Sequence, residues 1–468
     1  MDIDHVRAKQ LTAARPQRRC LCGEDLPMHS FKAGTKWRRA STAAVALGTA
    51  ALLSGCAVFQ GDSGGSADGD NLVFWSMWER GEPQSEVLQS AIDEFEDETG
   101  VTVEVQWAGR DVSTRVQTAA NTGDVPDLTD DAVEVLLAGA GAGVYRGLAS
   151  VYELEIPGED QTVADVIPSA YVEPYVNADG EPIVVPHSVT TTSIWYDGNK
   201  LPEVAAAPPT TWDEFLALVS DMSAAGQVPF AADGTIPDYN AYWLGQMVLR
   251  QLGPGWLNDA AHDKTGEAFK DPEFLAVAQR LEQLVDAGYF MEGYQGSKLP
   301  AQEQAWAAGD ANFLMMGSWA PLGKEDVARE GAIWRTFPLP LAEGGVNTIE
   351  ANLLGFGIPT DAKNPENAEE FIAFFMEHDR IGGISSEANQ LTPRADVEPP
   401  TDLVDVAEML ASADSAHRYL DGIPSELPDW WTGVFLPVDD RLFFGEISAA
   451  EFVEQLSAES AKFWKNNG

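Results

Sequence analysis

Cysteine is nearly absent: three in 468 residues, at positions 20, 22 and 56. Nothing past residue 56 can form a disulfide, present a thiolate nucleophile or hold a metal through sulfur. Histidine is almost as scarce. Only His187, His262, His378 and His417 lie beyond Cys56, and no two stand at the spacing of a zinc-binding pair. No phosphate-cradling G-x-x-x-x-G-K-[ST] loop occurs. Basic residues are the third shortage: 29 Lys and Arg against 74 Asp and Glu, a net charge of −45. Such a surface repels nucleic acid and anionic lipid headgroups. Acidic residues are so many that the paired carboxylates of a glycosidase are available almost anywhere, so their presence carries no information. Catalysis therefore has no positive support, and neither a cofactor nor a metal site is expected.

Long apolar runs are missing too. The best candidate, ASTAAVALGTAALLSG before Cys56, is shorter than the roughly 20 residues a spanning helix needs. It follows KAGTKWRRA, whose Lys32, Lys36, Arg38 and Arg39 precede the apolar stretch in the order of a secretory signal. Leu53-Ser54-Gly55-Cys56 resembles a bacterial lipobox, in which the thiol is acylated and the chain is cut just before it. That resemblance implies a leader over residues 1–56 and a lipidated N-terminus at Cys56. The alternative is an ordinary signal peptide with a chance cysteine. Met28 begins a leader of normal proportions, so the true start is expected there, without Cys20 and Cys22. Residues 57–70 form a tether; four Gly, two Ser and three Asp fall within residues 60–70, whose flexible span is roughly 18 Å.

What is present is size and aromatic surface. More than 400 residues follow the leader, more than one core usually organises, with two domains as the default. Fourteen Trp, twenty Phe and ten Tyr supply apolar area. NLVFWSMW reads as a strand. SEVLQSAIDEFEDETG carries Val87, Leu88, Ala91, Ile92 and Phe95 on one helical stripe and stops at Gly100, and VTVEVQW alternates as a strand should. Strand, helix and parallel strand imply an α/β architecture. Capping boxes appear at Thr211 with Glu214 and at Ser448 with Glu451. Asp271-Pro272 and Asn364-Pro365 open two further helices.

Several segments in order are similar to family 1 extracellular solute-binding proteins of ABC importers, the group with the maltose- and trehalose-binding lipoproteins. They are GDVPDL with Gly143 seventeen residues after Pro126, EPIVVPHSVTTTSIWYDGNKLP, PPTTWDEFLALVSDM, AAGDANFLMMGSW, FPLPL, GFGIPTDAKNPENAEEFIAFFME and QLTPR. Together they span nearly all of residues 71–468. The resemblance implies a two-lobe periplasmic-binding-protein-like fold, α/β throughout, with hinge crossings and an interlobe ligand cleft. Crossings are expected near His187–Thr190, Ala351–Leu354 and Leu391–Pro393. Lobe one is then residues 71–187 with 354–391, and lobe two residues 188–353 with 392–468. GDVPDL is expected to end a strand leading into a helix.

The function this implies is capture of a carbohydrate and its delivery to ABC permease transmembrane subunits, by a monomer held at the outer face of the bacterial membrane through Cys56. Sugars present C–H faces and hydroxyl rims, so their sites pair aromatic rings with hydrogen-bonding groups. Trp319 in GSWAP matches a ligand-stacking tryptophan of the family. Trp78 and Glu79 follow the first strand at its carboxyl end, where ligands bind in open α/β sheets. Asp131 and Glu134 fall where relatives direct an aromatic or a carboxylate at the sugar. His187 and Thr190 sit at the first crossing, Asn352 at the second, and Arg394 just past the third. Tyr242 and Trp243 are candidates for the second lobe's face of the cleft, Trp430 and Trp431 for a rim platform, and Arg110 for a reach from its loop. The alternatives are a binding protein for a cation such as a polyamine, drawing on Glu79, Asp131 and Glu134, and a surface glycosidase.

Overall fold

The computed structural model describes residues 71–324 and 326–467. The leader, the tether and the lipidation expected at Cys56 lie outside the described residues. Eleven strands occur among them: β1 Asn71–Ser76, β2 Thr102–Trp107, β3 Leu128–Ala132, β4 Val185–Thr190, β5 Thr192–Asp197, β6 Phe230–Ala231, β7 Phe313–Gly317, β8 Trp334–Phe337, β9 Thr348–Glu350, β10 Asn352–Gly357 and β11 Ser415–His417.

The first sheet runs β2-β1-β3-β10-β4 and the second β6-β7-β5-β8, with β9 and β11 paired separately. β1 pairs parallel with β2 from Asn71 opposite Thr102. The helix Pro83–Thr99 supplies the crossover that a parallel pair requires. Its apolar stripe, Val87 to Phe95, is buried. It ends at Gly100, whose φ of 77° closes the last turn in the left-handed region where a side chain is unfavourable. β10 is antiparallel to both β3 and β4.

Each sheet carries its own aromatic cluster. On the first, Phe74, Phe95, Phe356 and Phe371 lie within 5.3–6.1 Å centroid to centroid. On the second, Phe215, Phe230, Phe313 and Phe337 do so within 5.7–6.4 Å. The chain leaves or enters the first sheet at two single residues: β4 ends at Thr190 and β5 of the second sheet begins at Thr192, while β9, paired with β11, ends at Glu350 and β10 begins at Asn352. A third strand of chain touches the same place, where Val189 N donates to Leu391 O. A five-stranded and a four-stranded sheet joined this way, with helices packed on both, is the two-lobe α/β arrangement expected.

Local chemistry follows the sequence at most helix starts. Thr211 and Glu214 form a reciprocal capping box, Ser448 and Glu451 exchange the same contacts, and the Asp271 carboxylate accepts from Glu273 N. Asn364-Pro365 opens the helix Pro365–Phe375 as expected, with the Asn364 side chain reaching back to Asn71. One expectation fails. Pro126-Asp127 enters β3 instead of ending a strand, because the buried Asp127 carboxylate is needed there as a junction: it accepts from Val73 N, Lys363 N and Asn364 N. Among the described residues no helix is long and apolar enough to cross a membrane.

Candidate functional site

The carboxyl end of β1 opens directly into a cleft of about 840 Å³, within the range typical of small-molecule sites. Met77, Trp78, Glu82 and Arg110 line it from the first sheet, Trp319, Leu322 and Gly323 from the turn after β7, and Thr190, Asn352 and Leu354 from the crossings. Pro83, Gln84, Glu387 to Gln390 and Asp402 complete the lining. The cleft thus takes side chains from both sheets and from the chain between them.

Trp78 is buried, with the Arg110 guanidinium 4.7 Å from its ring centroid. Arg110 is itself fixed: it donates to Met77 O at 2.6 Å and forks onto both oxygens of Glu82 at 2.9 and 2.7 Å. Burial opposes ionisation of Glu82, but the Arg110 contacts and the Glu79 amide overcome it and hold its carboxyl below the ordinary value. Trp319 is partly exposed and packs against the strand end; a Cβ at Gly317 would stand 2.1 Å from its ring. Two buried polar atoms of cleft-lining residues lack a protein partner, Trp78 Nε1 as donor and Asn352 Oδ1 as acceptor. Such groups are costly unless a ligand or water meets them.

Behind the cleft lies a second polar layer. Asp130 accepts from Met77 N at 2.8 Å and sets its other oxygen 3.6 Å from His187 Nε2, both side chains fully buried. Asp131 is pushed up to about 7 by burial, with the Asp130 charge adding and the Ala132 amide and Arg110 opposing. At the second crossing, the fully buried Glu350 accepts from Thr192 and Gln246 and is pushed up to about 8 by burial, helped by the charge of Glu134.

Of the residues named from sequence, the structure brings together Trp78, Arg110, Thr190, Trp319 and Asn352 around the cleft. Glu79 is exposed at its edge, against Gly109. The rest do not line this cleft. Asp131 and His187 belong to the buried layer behind; the His187 ring packs edge-on to Phe356 at 5.1 Å. Glu134 is committed to Arg418, at 2.9 and 2.5 Å. Tyr242 stacks on Tyr239 and is 2% exposed. Trp243 is core, edge-on to Phe230 and Phe290 at 4.9 and 5.3 Å. Arg394 is buried in ion pairs with Glu159 and Asp396 and donates to Met376 O. Trp430 is fully buried, stacked on Phe269 with its Nε1 on Ser460, and Trp431 stacks on Phe435 with its Nε1 on Asp238.

Sequence reasoning missed Glu82, Gln84 and the run Glu387-Ala388-Asn389-Gln390. A signal was available for the last: the run immediately precedes the third expected crossing, and Asn389 has a φ of 52°, which asparagine tolerates better than most residues. Among the described residues no group of His, Cys, Asp and Glu is arranged to hold a metal ion.

Residues 81–379 match a protein family described as bacterial extracellular solute-binding protein. The chain is 26% identical over 212 residues to the multiple sugar-binding protein of Streptococcus mutans, covering 41% of this chain and 46% of that one. It is 25% identical over 266 residues to a probable sugar-binding periplasmic protein of Mesorhizobium japonicum, covering 56% and 61%. The chain therefore spans about half the length of the curated relatives it matches. Its fold is similar to that of the bacterial solute receptor AcbH, described as having an exclusive substrate preference for β-D-galactopyranose, with a TM-score of 0.69, 17% identity, and 85% and 99% of the two chains covered.

Proposed function

We propose that this chain, which belongs to the bacterial extracellular solute-binding protein family, captures a sugar or oligosaccharide between its two lobes and presents it to the transmembrane subunits of an ABC importer. The observation that carries this is the pair of indoles, Trp78 and Trp319, brought to one cleft from opposite sheets beside an unpartnered donor and acceptor. Flat apolar faces with a few convergent polar groups match the two chemistries of a pyranose. The relatives' descriptions as sugar-binding support the same class.

We assign the lobes to the two sheets, with the crossings at Thr191 and Ala351 and the third beside Leu391. Ligand that touches both lobes stabilises the closed form, because only differential affinity shifts such an equilibrium. The sugar leaves unreacted, so the chain is a receptor and not an enzyme. It acts as a monomer, anchored through a lipid on Cys56 at the outer face of the membrane.

The cation alternative loses the three carboxylates it drew on, although Glu387 and Asp402 line the cleft. Of the carboxylates it would use, Glu134 is neutralised by Arg418, Asp131 lies behind the cleft, and Glu79 is at its edge.

A thermal-shift screen of the full chain against mono- and oligosaccharides, polyamines and amino acids tests the assignment. A cognate sugar at 100 times its Kd is expected to stabilise by about 2.7 kcal/mol, and Trp319→Ala to abolish the shift. A melt that moves with polyamines and with no saccharide overturns it, and so does release of product from aryl glycosides.

A further inference from the structure

Besides the Arg394–Glu159 pair, a second charge contact joins the two lobes away from the ligand cleft. Glu134 stands in the first turn of the helix Val133–Gly141, which packs on β3 and β10 of the first sheet. Arg418 follows β11, the strand paired with β9 beside the second crossing. Its guanidinium meets Glu134 through Nε at 2.9 Å and Nη2 at 2.5 Å, and Ser425 Oγ donates to the same carboxylate at 2.5 Å. Both side chains are largely shielded from water, at 15% and 10% exposed.

The segment holding Arg418 is built for position. Leu420 and Asp421, with φ of 42° and 60°, adopt the left-handed region and precede Gly422 at 79°. Two consecutive non-glycine residues there cost free energy and persist only when their surroundings fix them. Here Asp421 is fixed by Gly255 N and Asn258 N, and Leu420 by the open flank of Gly245. The guanidinium lies against Gly422, where a Cβ would sit 2.2 Å from it. Arg418 also bonds Glu426 of its own lobe. If the lobes part, it keeps that partner, while Glu134 is freed at a helix N-terminus that favours a carboxylate. The contact is therefore reversible without leaving a buried charge unpaired.

We propose that Glu134 and Arg418 form an interlobe clasp beside the hinge, which sets how far the lobes open without touching ligand. The proposal rests on the reading of the chain as a receptor that closes. By biasing the population that can bind, the clasp scales apparent affinity with the closed fraction.

The test compares the ligand-free full chain with Glu134→Gln, Arg418→Met and the double variant by small-angle X-ray scattering and hydrogen exchange. Each single variant is expected to raise the radius of gyration and to speed exchange in residues 133–141 by about tenfold, with melting of the rest unaltered. The double variant should match Arg418→Met in dimensions, because the interlobe contact is lost in both and the Arg418–Glu426 pair lies within one lobe. Unchanged dimensions in Glu134→Gln overturn the clasp, and this isosteric variant decides alone if Arg418→Met does not fold. No sugar enters the measurement. A chain that expands on Glu134→Gln yet answers to no saccharide keeps the clasp and loses the sugar, and the converse result loses only the clasp.

Discussion

The Arg110 guanidinium covers the Trp78 ring at 4.7 Å while both oxygens of Glu82 hold it there. An indole lining the cleft is thus kept rigid, with a cation over one of its faces. Arg110 is about half exposed, so the contact adds little stability, on the scale of about 1 kcal/mol or less for exposed pairs. Arg110→Ala should leave the urea midpoint almost unmoved, blue- or red-shift the fluorescence of Trp78, and change ligand affinity by about tenfold. A large fall in midpoint with unchanged affinity would show that the cluster serves only to hold the fold.

Trp319 and Trp430 separate site from core. Trp319→Ala should weaken ligand binding strongly and cost little stability, since the ring is partly exposed. Trp430→Ala removes a fully buried ring and should cost about 3–5 kcal/mol in urea titrations, while the folded fraction binds as before in calorimetry.

Gly317→Ala tests the same platform from beneath. The added methyl would lie 2.1 Å from the Trp319 ring, so the indole must leave its seat. Overpacking of this kind costs about 1–3 kcal/mol, and ligand affinity should fall toward that of Trp319→Ala. Retention of full affinity would mean that the position of the indole is immaterial.

Asp131 and Glu350 give the pH dependence its sign. Burial raises them from 3.8 to about 7 and from 4.5 to about 8. The folded state therefore holds a proton where the unfolded state has released it. Each group costs nothing below its unfolded value and makes the fold less stable as pH rises toward its folded value, with a slope of about 1.4 kcal/mol per pH unit. Asp131→Asn should flatten the stability curve between pH 4 and 7, and Glu350→Gln between pH 5 and 8, each stabilising the protein at pH 8. A variant less stable than the parent at pH 8 would contradict the assignment.

Helix starts, strand alternation and the order of motifs are written locally, and they were legible. A Thr211 hydroxyl and a Glu214 carboxylate find their amides within one turn, so no distant residue is needed to predict them. The five residues named from sequence that line the cleft stand just past a strand, in a turn or at a chain crossing, places that the connectivity of an α/β fold exposes wherever it occurs.

The destination of the remaining side chains was not local. DWWTG reads as an exposed platform, yet Phe269 from one helix and Ser460 from another enclose Trp430. Arg394 sits in a motif at the third crossing, but Glu159, 235 residues earlier, claims its guanidinium. Glu134 looks like a ligand group until Arg418, 284 residues later, arrives beside it. The sequence alone determined the class of fold, the family and the aromatic chemistry available. Only the tertiary structure decided which indoles face the cleft and which carboxylates remain free, because burial and charge pairing depend on neighbours that the chain brings together from hundreds of residues apart.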